Sequence, residues 1–329
     1  MENGVSNGGP QTDITNKVMG RPPKEMSGAL WFALGSFASF VIPFFGVVMM
    51  GYGARELLEA RGSRGFLFAV VEGIVITAVA LFADPSMGML LIGEVLCVLG
   101  VVWCMRNHAA TLAGISAVIV ATALVNIGIE AAVATAAGSS LSQVVDGLLA
   151  YMTAVAQGAA GTGIQAELIV QQIAPVLKAL WPFTYVASAG MDTLSAGVGS
   201  YLMYVRTCGI PRVPAIVTFD MPMWPVGVLI ASILGLSASL TGFPGADILL
   251  SISVTALLSV RFIFAIQGFA VVLAFSNRFR FGCLGRMLLL VLSIWLETMF
   301  FIVSMVGLID VWANFRKLPR GGQSSQANT

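Results

Sequence analysis

Phe66-Leu-Phe-Ala-Val-Val-Glu72-Gly-Ile-Val-Ile-Thr-Ala-Val-Ala-Leu-Phe-Ala83, then Asp84-Pro85, then a second apolar run from Ser86 to Met105, is the stretch that decides the fold. Two runs of eighteen and twenty residues meet at a two-residue turn. Wound as helices at 1.5 Å per residue, each reaches about 27–30 Å, the depth of a bilayer's hydrocarbon core. Asp-Pro between them is turn chemistry and gives a tight turn between the two runs. The pattern reads as a pair of antiparallel transmembrane helices.

The same grammar repeats outward. From Ala29 to Ile309 the chain is a near-continuous apolar strip broken by single charges, prolines and glycines. Of its 329 residues, 57% are hydrophobic and 10% charged, and mean hydropathy is +0.91. Soluble domains carry about 25% charge, so the solvent of this chain is lipid. Helices are expected at 29–52, 66–83, 86–105, 109–137, 180–205, 223–241, 246–275 and 287–309, about eight membrane segments. Open sheet edges in lipid would leave backbone groups unpaired, and no barrel-type alternation is present. The fold class is all-α, a polytopic transmembrane helical bundle.

Residues 1–28 are rich in Gly, Asn, Pro and Thr and read as a disordered tail, and residues 318–329 likewise. Residues 29–317 form the membrane domain. Within it, residues 139–179 read as two amphipathic helices outside the membrane, at 141–157 and 164–177. Gly158-Ala-Ala-Gly161-Thr-Gly163 is a hinge between them.

Loop charge orients a membrane protein, because cytoplasmic loops collect Lys and Arg. The odd-numbered loops hold Arg55, Arg61, Arg64, Arg106, Arg206, Arg212, Arg278, Arg280 and Arg286, and the even-numbered loops hold only Lys178. The odd loops therefore face the cytoplasm. With one broken span at 29–52, bent at Pro43 and Gly46, both tails fall on the other side and the majority narrows to nine against seven. If 29–52 instead dips in and returns, Lys17, Arg21 and Lys24 join the odd loops and the count becomes twelve against four. The single broken span is the reading adopted from sequence.

Ionisable groups inside apolar runs cost at least about 2.5 kcal/mol each at mid-bilayer, so they mark structure or function. Here they are Glu72, Glu94, Glu130, Asp192, Arg261 and Glu297, with Asn126 and Gln267 as neutral companions. Arg261 and Glu297 come to similar depth on antiparallel neighbours and are expected to form an intramembrane ion pair. Glu94 and Asp192 lie near mid-depth without an obvious base. With Gln267 they are the candidate site for a cationic or amine-bearing solute. Small residues recur at every fourth position in the fourth span (Ala109, Ala113, Ala117, Ala121), a stripe that permits close helix packing.

Several chemistries are excluded. No lysine follows a glycine, so a Walker A loop is absent, and any ATPase must be a separate chain. His108 is the only histidine, which removes HExxH zinc sites and Ser–His dyads. Cys97, Cys104, Cys208 and Cys283 lack CxxC spacing and read as small hydrophobes. A net charge of +1 gives no field for nucleic acid. No enzyme, metal or cofactor is expected.

Three phrases carry a resemblance: Pro222-Met-Trp-Pro225, Phe264-Ala-Ile-Gln267-Gly268, and Gly307-Leu-Ile-Asp310-Val-Trp312-Ala-Asn314-Phe-Arg316-Lys317. On these the chain resembles the YybS-type family of bacterial multi-pass cell-membrane proteins, a domain of unknown function. That family is grouped with the substrate-capture (S) subunits of energy-coupling-factor transporters. The resemblance implies a small-solute binding or transport role, with separate ATPase and coupling subunits as partners. Those subunits dock through an Ala-x-x-x-Ala face in the first helix, which Ala29 and Ala33 match, and they usually have six spans. The alternative is a non-transporting accessory or scaffold protein of the cell envelope, whose buried charges only hold the bundle together.

Overall fold

The computed structural model describes residues 23–107, 110–160, 164–208, 219–279 and 281–318, and the regular structure in them is entirely helical. The helices are α1 Glu25–Ala38, α2 Pro43–Arg61, α3 Ser63–Ala83, α4 Pro85–Arg106, α5 Leu112–Ala136, α6 Leu141–Ala160, α7 Ile164–Cys208, α8 Trp224–Ser239, α9 Ala246–Arg278, α10 Cys283–Phe300 and α11 Ile302–Ala313. Contacts divide the chain into two compact units, residues 1–122 with 189–212 and residues 123–188 with 213–329. Both α5 and α7 give one part to each.

Among the described residues four helices are long and apolar enough to cross a membrane, α3, α4, α5 and α9, and the bent pair α10–α11 makes a fifth if it is one span. The Asp84-Pro85 turn has the form its chemistry demands. Pro85 opens α4, and the Asp84 carboxylate accepts from Ser86 N at 2.9 Å. The bond from the Ser86 hydroxyl, more than any other influence, holds the Asp84 carboxyl below its ordinary pKa. The other apolar runs take different forms.

The run 29–52 is not one broken span. It is two antiparallel helices, with α1 beginning already at Glu25, inside the stretch expected to be a tail. Pro43, which has no N–H to lose, opens α2 after the turn at 39–42. The helices touch backbone to backbone: a Cβ on Gly35 would stand 2.5 Å from Met50 N, and one on Gly46 would collide with Ser39. Lys24 N donates to Glu56 Oε1 at 3.1 Å and Arg61 pairs with Glu25, so α1 starts where α2 ends. Phe32, Val47, Met50, Ala54 and Leu57 from this hairpin join Ala69, Leu91, Val98 and Val102 in the first unit's core.

The pieces expected separately at 164–177 and 180–205 are one helix, the 45-residue α7. Lys178-Ala-Leu-Trp181 offers no turn residue, and α7 runs through both Pro175 and Pro182. Of the expected hinge, residues 158–160 are the last turn of α6, and 161–163 lie outside the described residues, as do His108, Arg212 and Arg280. Asp146 on α6 pairs with Lys178 Nζ at 2.9 Å, a hydrogen bond that holds the ammonium above its ordinary pKa.

In the second unit α8, only 16 residues long, forms a hairpin with α9. The run 287–309 is split: α10 and α11 meet at Phe301 with a bend of 98°. Phe301 is left-handed (φ 58°), a conformation bulky residues rarely adopt. α11 then lies against α9 at Gly268 and Gly307, where a Cβ on either would collide with a backbone carbonyl of the facing helix.

Candidate functional site

A helix break in lipid exposes carbonyls at one end and N–H groups at the other. At Phe301 three side chains answer both needs. Arg261 on α9 donates from Nη2 to Glu297 O, a C-terminal carbonyl of α10, at 3.1 Å, and from Nε to Glu297 Oε1 at 3.0 Å. Glu297 Oε2 accepts from Ser304 N in the first turn of α11 at 2.8 Å, and the Ser304 hydroxyl donates to the same carboxylate. The Arg261 guanidinium lies 3.7 Å from the centre of the Phe301 ring, a cation–π contact. The positive group sits at a helix C-terminus and the negative one at an N-terminus, as the helix dipoles favour.

Gln267 lies six residues further along α9, nearly two turns, and is fully buried. It donates to Asp310 Oδ2 at 2.8 Å. Asp310 also receives Arg316 at 2.9 Å, and Arg316 reaches Phe219 O at 2.6 Å, just ahead of α8. The end of α11 is thereby tied beside the start of α8. Neither Asp310 nor Arg316 is among the charges read as intramembrane, although both stand in the Gly307–Lys317 phrase.

Glu94 and Asp192 belong to the first unit, on α4 and α7. Both are partly buried. Helical spacing puts Cys97 on the face of Glu94, and small residues at 189, 193, 196 and 200 let α7 pack closely. A Cβ on Gly199, for instance, would collide with Val48 O. Cys97 Sγ lies 3.2 Å from Thr193 Oγ1, which donates to Ala189 O at 2.7 Å. The Thr122 hydroxyl of α5 adjoins the Cys97 thiol, and Ser39, from the α1–α2 turn, adjoins Glu94.

Two buried oxygens in this cluster have no hydrogen-bond partner, Glu94 Oε2 and Thr122 Oγ1. Among the described residues no Lys or Arg forms an ion pair with Glu94 or Asp192. Burying a charge or hydroxyl without a partner is costly. The two oxygens can therefore accept a donor. Mid-depth placement groups Gln267 with the two acids in sequence, but its amide nitrogen donates to Asp310 in the second unit, while its Oε1 is buried without a partner there. Ser39, Cys97, Thr122 and Thr193 carry a faint sequence signal, since small polar residues are ordinary in membrane helices.

The remaining acids differ. Glu130 accepts a hydrogen bond from Tyr185, and Glu72 is half-buried on α3. Ala29 and Ala33 on α1 are both half-buried, and Ala29 packs on the core of its own unit.

A protein family described as predicted membrane protein (DUF2232) matches residues 29–311. No curated protein and no solved structure matches the chain.

Proposed function

We propose, from the premise that this chain belongs to the DUF2232 family of predicted membrane proteins, that it is a multi-pass cell-membrane component of small-solute transport, with its ion-responsive centre at Glu94 and Asp192. The observation that carries the reading is two partly buried acids, Glu94 on α4 and Asp192 on α7, that form no ion pair with a Lys or Arg among the described residues. Structural acids in lipid are normally tied to a cation or donor, and untied ones mark ion and substrate paths.

The reading specifies a topology of eight membrane segments, six of which cross. Those six are α3, α4, α5, residues 180–205 of α7, α8 and α9. The hairpins α1–α2 and α10–α11 enter and return on one side. Two observations support this. The start of α1 is bonded to the end of α2, and the end of α11 is bonded beside the start of α8. Both tails then join the odd loops. The nine loop arginines, three basic residues of the N-terminal stretch and three of the C-terminal one make fifteen on the cytoplasmic side, against Lys178 outside. Six crossings is also the usual number in the S subunits that the sequence resembles, and this keeps separate ATPase and coupling partners within the proposal.

A second reading, an accessory protein without transport, draws on the second unit. There Arg261, Glu297, Gln267, Asp310 and Arg316 are all engaged in holding helices together. Solute accumulation separates the two. Cells expressing the chain with its genomic neighbours are given a defined mixture of small solutes, and uptake is read by mass spectrometry. Transport predicts enrichment of at least one solute, lost in Glu94→Gln with Asp192→Asn. No enrichment leaves the accessory role.

A further inference from the structure

We propose that a cleft between the α1–α2 turn and the adjoining ends of α3 and α4 holds one acyl chain of a phospholipid whose primary ammonium head group pairs with Asp84. This rests on α3 and α4 as membrane-crossing helices and not on the transport reading.

The cleft lies within the first unit and has a volume of about 260 Å³. Phe37 and Phe40, from α1 and the turn after it, line it together with Val75, Val79 and Ala80 of α3 and Met87 of α4. Among the described residues Asp84 alone brings a charge to the lining. Val75 and Asp84 are nine residues apart, about 13 Å along a helix at 1.5 Å per residue. The cleft thus starts at the turn where two spans end, at the level of lipid head groups, and descends through most of one leaflet, about 15 Å of hydrocarbon. Acyl chains lie along that same direction.

Size selects the occupant. The volume falls below the roughly 300–1,000 Å³ of pockets for drug-sized ligands, and a helix about 10–12 Å across is bulkier still. A single hydrocarbon chain is slender enough, and filling the space supplies dispersion contacts that an empty groove forfeits. Charge selects the head group. The Asp84 carboxylate is exposed, and Ser86 N and the Ser86 hydroxyl both donate to one of its oxygens, Oδ1. Among the described residues no Lys or Arg forms an ion pair with it. An ionised carboxylate at head-group level attracts an ammonium and repels a head group of net negative charge. A primary ammonium also donates hydrogen bonds to a carboxylate, which a quaternary one has no N–H to do.

The test places the full chain in nanodiscs of equal parts phosphatidylethanolamine, phosphatidylcholine and phosphatidylglycerol. The protein is then extracted into a mild detergent, and the lipid that stays bound is identified by native mass spectrometry. One phosphatidylethanolamine per chain should remain, enriched roughly three- to fivefold over each of the other two, the range that one exposed charge pair supplies. Asp84→Asn keeps the helix cap, because Asn caps as well as Asp, and should remove the preference over phosphatidylcholine. Asp247→Asn, at another exposed acid in the first turn of an apolar helix, should keep it. Val79→Trp, at a lining position that is 59% exposed, should fill the cleft and displace the lipid. Enrichment on the unmutated chain is a readout that needs no variant to fold. Equal retention of the three lipids, no retained lipid, or a preference that survives Asp84→Asn overturns the inference, as does a lipid that Val79→Trp leaves in place.

Discussion

At the scale of single residues, the energetics of this chain are those of charge in hydrocarbon. Arg261 and Glu297 neutralise each other and also satisfy the two ends of a helix break. Removing one partner strands the other along with backbone groups. Arg261→Met or Glu297→Gln alone should therefore cost about 2–4 kcal/mol of unfolding free energy. The double change should cost less than the sum, since both single losses are of one interaction. A double-mutant cycle of unfolding in detergent reads this directly, and additive costs would mean the residues act separately. Sequence could place these two at one depth, because depth follows from counting residues along a helix. It could not show Ser304 completing the clasp, since nothing in Thr298-Met-Phe-Phe-Ile302 announces a break. The same limit applies to Gln267. Depth groups it with Glu94 and Asp192, but depth says nothing about which helix a side chain faces.

Among the elements, close approach of helices matters most. Gly268 of α9 and Gly307 of α11 each lie against the partner's backbone, so added side-chain volume has nowhere to go. Gly307→Leu should push α11 off α9 and cost roughly 3 kcal/mol or more. It should also loosen Arg316 from Phe219, making the C-terminal end more accessible to protease. Gly227→Leu, where a Cβ would meet nothing within 4 Å, should be near neutral under the same assay. Equal effects at the two sites would argue against a seated α11. Helix type and the Asp84-Pro85 turn were legible because hydropathy and local turn chemistry act over a few residues. The division of 29–52 into α1 and α2, and the joining of 164–177 to 180–205 as α7, depend on packing and on the absence of turn residues. Proline marked both regions, yet Pro43 opens a helix while Pro182 is carried inside one. Local chemistry alone does not separate those outcomes.

For the whole molecule, the proposed topology would change the charge argument from a narrow majority to fifteen against one. That contrast is possible only if α1–α2 and α10–α11 both return to the side they leave. The solute reading depends on it, because a site between α4 and α7 serves uptake only if the even loops and α6 face outward. The most direct measurement is accessibility of single cysteines to an impermeant thiol reagent in intact cells, in a background lacking Cys97, Cys104, Cys208 and Cys283. Substitutions at Lys24, Arg61 and Lys317 should label only after permeabilisation, and one at Phe243 should label at once. Labelling of Lys24→Cys or Lys317→Cys in intact cells would place a tail outside and contradict the account.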